Sequence, residues 1–169
     1  AINITVELPG VDEATENPAL ILVCPGSYSE DPIEIQQDGI SIVGLGSVTI
    51  SPNADADTIT LSDGVASPLS CVLQNLIISN ENAGRACVRV TGGAGSTIGN
   101  SVIQILDCAL SATDATGYAV RASSANHILV RGGDWAGSNV TATTLIEECA
   151  SFTMDGVLTA RQVQLDYDG

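Results

Sequence analysis

Lysine is missing from this chain altogether, and five arginines stand against 20 acids, for a formal net charge of −15. Proteins that hold nucleic acid neutralise phosphates with clustered cations, so nucleic acid is excluded as a partner, and an anionic membrane surface would repel the chain. Aromatic residues are almost as scarce, at 3% of 169 residues, although 44% are hydrophobic. The interior must therefore be built from Val, Ile, Leu and Ala in rows rather than around a few large rings. No run of 18 apolar residues occurs, so no segment is expected to span a bilayer. The opening AINITVELPG has neither the basic n-region nor the apolar h-region of a secretory signal, and none is expected here.

Metal-binding spacing is also wanting. The five cysteines (Cys24, Cys71, Cys87, Cys108 and Cys149) form no CxxC pair, and His127 is the sole histidine. No zinc site, no other metal and no cofactor are expected. Each cysteine sits in or beside an apolar run, which reads as a small buried core residue. The odd count leaves open an inter-subunit disulfide through one of the five if the protein works outside a reducing compartment.

What is present is strand and turn. From residue 20 to 51, LILVCPGSYSEDPIEIQQDGISIVGLGSVTIS, the apolar runs Leu20 to Val23, Ile33 to Ile35, Ile40 to Val43 and Val48 to Ile50 are β-rich and short. Pro25-Gly26, Asp38-Gly39, Gly44 and Gly46 separate them, supplying the fixed φ of proline and the positive φ that glycine adopts at low cost. With no crossover helix between the strands, each is expected to lie beside its counterpart one turn of chain later.

Repetition supports that coil. One series runs LQNLIIS (73–79), ILDCALS (105–111), VRGGDWA (130–136) and TMDGVLT (153–159), at offsets of 32, 25 and 23. A second runs IEIQQDG (33–39), ITLSDG (59–64), CVRVTGG (87–93), AVRASSA (119–125) and LIEECA (145–150), and within it Cys87 to Thr91 matches Ala119 to Ser123 at the same offset of 32. Two strand series advancing by one step between the same turns define a solenoid, because residues inserted in one corner displace every later strand equally. Insertions such as GGAGSTIGN (92–100) and SATDATGY (111–118) then become variable corner loops. The expectation is an all-β, single-stranded parallel β-helix of about six coils and one domain. Residues 1–19 form an N-terminal strand (Ile2 to Val6) and a VDEATENPA cap, 20–165 the coils, and 166–169 a tail in which Asp166 and Asp168 blunt the open edge.

The run from Ile21 to Ile35, ILVCPGSYSEDPIEI, followed by ISIVGLGSVTI from Ile40, resembles the first coils of the right-handed parallel β-helices of the pectin-lyase-like superfamily. These open with V-x-P-G-x-Y-x-E-x-I-x-I and then I-x-I-x-G-x-G. The likeness covers about 30 residues closely and the rest by period, and it implies a right-handed helix. That superfamily includes polysaccharide lyases, esterases, hydrolases and phage tail spikes, so the likeness speaks to fold more than activity.

For an enzyme on acidic polysaccharides, the best constellation is Asp107 and Asp155 at matching positions, with Asp134 on the intervening coil and Arg131 and His127 nearby. The family's signatures are absent. There is no Asn-Thr-Asp, Asp-Asp, Gly-His-Gly and Arg-Ile-Lys set, no Gly-x-Val-Asp-Phe-Ile-Phe-Gly run, and no lysine to serve as a lyase base. The stacked Arg89 and Arg121 are expected to be interleaved with acids, since like charges one strand apart repel. Trp135 and Tyr118 are the candidates for a sugar-stacking face if exposed, with a Trp135 that fills the inside of one coil as the favoured reading. Gly92-Gly-Ala-Gly lacks the lysine of a phosphate loop, and Asn3-Ile-Thr and Asn139-Val-Thr match the glycosylation acceptor pattern.

Short β-helices without large enzymatic loops recur, by the same resemblance, in tail spikes and virion decoration proteins, which associate as trimers or stack on a partner. The resulting expectation is a non-enzymatic structural or adhesive module of a tailed-virus particle, with an extracellular or cell-surface setting as the alternative. It is expected to pair with copies of itself, a trimer favoured, and with other virion proteins. A polysaccharide lyase or hydrolase and a carbohydrate-binding module that takes a glycan are the competing readings.

Overall fold

A computed structural model describes residues 18–36, 39–62, 70–91, 102–123, 127–137, 144–147, 151–159 and 163–166. The N-terminal strand and the cap up to residue 17, both acceptor motifs, the Gly92 to Gly95 corner, Cys149 and Asp168 lie outside the described residues, and Ala19, expected in the cap, begins the first strand.

Eighteen strands wind into three parallel sheets of six, and every third strand falls in the same sheet. The first sheet holds Ala19–Val23, Ile40–Gly44, Ser70–Gln74, Val102–Leu106, His127–Arg131 and Ser151–Asp155. Gly26–Glu30, Val48–Pro52, Ile77–Asn80, Ala109–Ala112, Asp134–Gly137 and Leu158–Thr159 make the second. The third is Ile33–Ile35, Ile59–Ser62, Ala86–Thr91, Tyr118–Ser123, Thr144–Glu147 and Val163–Asp166. The chain is thus a parallel β-helix of six coils with three strands to a coil.

Alternation along each strand puts one set of side chains inside, and in-register pairing stacks them into rows. In the first sheet, Ile42, Leu73, Ile105, Val130 and Met154 form one row and Ile40, Cys71, Ile103, Ile128 and Phe152 another. The second sheet contributes Tyr28, Ile50, Ile78, Leu110 and Trp135, and the third Ile35, Leu61, Val90, Ala122 and Ile146. Nearly all of these residues belong to one continuous core, and each large aliphatic side chain buried there contributes about 1.5–3 kcal/mol. Trp135, the largest, is wholly buried, so it fills the interior and offers no ring to a sugar.

Three details differ from the sequence reading. The turn expected at Pro25-Gly26 passes straight into a strand, Gly26–Glu30, in which Ser27 and Ser29 face outward while Tyr28 turns in and donates its hydroxyl to the Cys24 carbonyl at 2.9 Å. The first repeat series is two strands rather than one, joined by the two-residue corner Asn75-Leu76. Gly44 ends a strand rather than making a turn, and its need for glycine is close approach: a Cβ there would lie 2.1 Å from the Asn75 carbonyl oxygen.

That corner carries a column of left-handed residues: Asn75 (φ 54), Asp107 (φ 52), Gly132 (φ 65) and Gly156 (φ 64) in four successive coils. Asparagine and aspartate tolerate this conformation better than other side chains, and glycine adopts it freely. The ladder continues through the bend, with Asn75 N–H donating to Leu106 O at 3.0 Å, Asp107 N–H to Arg131 O at 2.7 Å and Gly132 N–H to Asp155 O at 2.9 Å. Asn75 Nδ2 adds a bond down to Gly44 O at 2.7 Å.

A Cβ on Gly132 would sit 2.1 Å from Asp107 Oδ1. Gly132→Ala should therefore lose about 1–2 kcal/mol for the left-handed backbone, plus a steric share. Urea unfolding of Gly132→Ala, Asp107→Ala and the double variant should show the steric share relieved in the pair, a coupling of about 0.5–3 kcal/mol.

Candidate functional site

The acids singled out from the sequence do gather at the corner between the first and second sheets, but not in the expected register. Val130 pairs with Met154 rather than Thr153, so Arg131 lies opposite Asp155, and Asp107 is level with Gly132. Asp107 and Asp155 are consequently not equivalent positions. Asp107 sits over the Gly132 backbone. Asp155 pairs with Arg131 at 3.8 Å, both side chains being more than half exposed, and an ion pair so exposed contributes little. Asp134 is exposed on the outer row of the second sheet, two residues further on. His127 Nδ1 shares a 2.6 Å hydrogen bond with Ser151 Oγ at the opposite end of its strand from Arg131.

The denser polar cluster lies at the corner between the second and third sheets, and sequence reasoning missed it. Asn80 is fully buried there, sharing its amide hydrogens among Ala56 O at 2.9 Å, Thr58 Oγ1 at 3.0 Å and Ala86 O at 3.1 Å, and accepting from Asn82 N–H at 2.9 Å. The Thr58 hydroxyl donates a hydrogen bond to Ser79 O at 2.8 Å. Asp57, 8% exposed, accepts from Ala86 N–H at 2.7 Å through one oxygen and faces Arg89 at 3.5 Å through the other. Arg85 reaches Asp55 at 3.0 Å, Asn82 reaches Ala54 O at 2.9 Å, and Asn53 reaches Asp31 at 2.9 Å. Most of these bonds join one coil to the next, so the polar groups staple the stack where apolar rows give out. Paired burial of donors and acceptors is what makes such a network stable. The only early signal was turn composition in NADAD (53–57) and NENAGR (80–85), which also describes a solvated loop.

One coil further on, the Thr116 hydroxyl and amide both donate to Asp114 and hold its carboxyl below the ordinary carboxylate range. The same hydroxyl accepts from Gly84 N–H at 2.8 Å.

In the third sheet Arg89 and Arg121 stack directly in register as expected, but the acids flank the pair rather than lie between its members: Arg89 faces Asp57 of the coil before, and Arg121 faces Glu147 of the coil after at 3.8 Å. Arg121 also lies over the Tyr118 ring, 5.8 Å from its centroid, in cation–π geometry. Tyr118 and Trp135 belong to different sheets and form no common stacking face. The Trp135 indole N–H and the Thr144 hydroxyl are buried without a hydrogen-bond partner among the described residues.

Of the cysteines, Cys71, Cys87 and Cys108 are buried free thiols in the core, which removes them as inter-subunit disulfide candidates. Burial raises the Cys71 and Cys87 thiols to about 12 and Cys108 to about 11. Cys24 is free and exposed. Among the described residues, no group of three or more His, Cys, Asp or Glu side chains is placed to hold a metal ion. Comparison with known proteins returns no match to any family model, curated protein or solved structure.

In a Cys149→Ser background, a maleimide at neutral pH should label one thiol of the native protein, Cys24, and three more only after unfolding; rapid native labelling of all four would contradict the buried assignments. Thr116→Val should raise the Asp114 pKa toward the ordinary range in an NMR titration. Because folding lowers that pKa, the stabilisation it brings is full above the ordinary carboxylate value and lost as pH falls through the folded one, so the variant should retain less of it near neutral pH.

Proposed function

We propose that the protein is a non-enzymatic structural or adhesive module, a stiff β-helical rod that works by presenting its sides to other chains, copies of itself among them. The observation that carries this reading is how the carboxylates are used. Asp57 is clamped by an amide and an arginine, Asp155 is matched by Arg131, and Asp107 packs on the corner glycine. Acid–base work on a glycosidic bond needs two carboxyl groups facing each other across a space for sugar and water, at about 5–9.5 Å. Here Asp107, Asp134 and Asp155 are exposed on the outside of a filled core. The continuous core rows favour stiffness over motion, since each coil is locked to the next along three sheets at once.

The setting we propose is the particle of a tailed virus, by analogy with the short β-helices that the opening coils resemble. An acidic surface keeps such rods soluble. The polysaccharide-processing alternative would use Asp107, Asp134 and Asp155 with Arg131 and remains the competitor to be tested. Incubation with polygalacturonate and alginate should release neither unsaturated nor reducing ends, while native mass measurement should find species larger than one chain. A monomer that cleaves either polymer, and loses that activity in Asp134→Asn, would overturn the proposal.

A further inference from the structure

The outer faces of the three sheets differ in kind. On the second, Ser29 lies opposite Ser51 and Ser79 opposite Ser111, giving a row of small hydroxyls beside a row that holds the exposed Ile77 and Asp134. The third carries Glu34, Arg89, Arg121 and Glu147. On the first sheet, two adjacent outward rows run from coil one to coil six, one from Leu20 to Thr153 and the other from Leu22 to Asp155. Half of their positions are Leu20, Leu22, Val43, Val72, Leu106 and Leu129. The intervening ones are Ser, Thr and Gln, apart from Arg131 and Asp155, which neutralise each other at 3.8 Å. Leu20 is 63% exposed and Leu22 53%, the two most exposed large aliphatic side chains among the described residues.

In a chain of net charge −15, a side with no unmatched carboxylate in its two main rows is the place where a second copy can approach with least repulsion. Acids elsewhere then stay hydrated at the rim. Resting on the reading of this protein as a self-associating module, we propose that the outer face of the first sheet is its self-association surface, on which a second copy of the chain packs face to face about a two-fold axis. One self-complementary face closes as a pair; a ring of three would require each copy to offer two.

Six strands at about 4.8 Å, each about 16 Å long, make a face of about 460 Å² per copy before side-chain relief is counted. That is the low end for a specific interface, so the pair should be reversible, with a dissociation constant on the order of micromolar. Because an apolar, charge-matched contact is opposed by distant like charges, salt should tighten it by screening them.

The test is sedimentation equilibrium of the full chain from about 1 to 300 μM, in about 0.1 and 0.5 M NaCl, a span chosen around the affinity expected for so small a face. Leu22→Glu and Leu129→Glu are compared with Ser29→Glu, which adds the same charge to the second sheet, and circular dichroism and thermal unfolding report folding. Support consists of a monomer–dimer equilibrium that is tighter at high salt, weakened at least tenfold by each leucine variant and by less than threefold in Ser29→Glu. A wild type that stays monomeric throughout overturns the pairing, and only if it also cleaves an acidic polymer does the structural reading fall with it. An oligomer indifferent to both leucine variants but broken by Ser29→Glu overturns this choice of face while leaving the self-associating module intact. Should both leucine variants misfold, Leu22→Ser and Leu129→Thr, which match neighbouring outward residues, must give the same weakening; unchanged association in them also overturns the assignment.

Discussion

In-register stacking is the constraint on which this molecule depends. Parallel strands one coil apart set each residue directly over its counterpart, and a slip of a single residue would turn every inward side chain outward. The column from Ile42 through Leu73, Ile105 and Val130 to Met154 holds only because each coil returns the chain to the same phase. Insertions are accommodated at corners, where added length costs little entropy. The step of 32 residues from Ser70 to Val102 recurs between Ile77 and Ala109 and between Ala86 and Tyr118.

The two described corners keep that phase by different means. Between the first and second sheets the bend is two residues long in five coils and three in the second, and it is solved by backbone conformation: a left-handed residue in each of four coils, with Gly132 and Gly133 placed where a side chain would strike the coil below. Between the second and third sheets the bend is longer and solved by side-chain chemistry, with Asn80, Asp57 and Thr58 buried to satisfy carbonyls and amides that no strand reaches. Both corners spend acidic or amide side chains on architecture, and so the residues with most chemical potential hold the rod together.

The three sides that result are unlike one another: one with a row of hydroxyls, one charged, and one charge-matched apolar. Among the described residues the space between the sheets is filled by the core rows, so the sides differ in what they present outward. The large negative charge gives those differences weight, because it penalises contact everywhere that carboxylates are unmatched.

Alternation, turn residues and the recurrence at 32 were enough to read a parallel coil of about six turns from the residues alone, because period-2 patterning and equal displacement are local properties of the chain. The stacking of Arg89 on Arg121, with an acid matched to each, was legible for the same reason. What eluded that reading depended on partners distant in sequence. The one-residue shift that sets Asp155 against Arg131 is fixed by pairing along the whole strand, from His127 on Ser151 to Arg131 on Asp155, and Gly26–Glu30 is a strand with Val48–Pro52 beside it. Burial of Asn80 was likewise decided only when neighbouring coils closed around it, since whether a polar side chain ends in water or in the core is a property of what stacks on it.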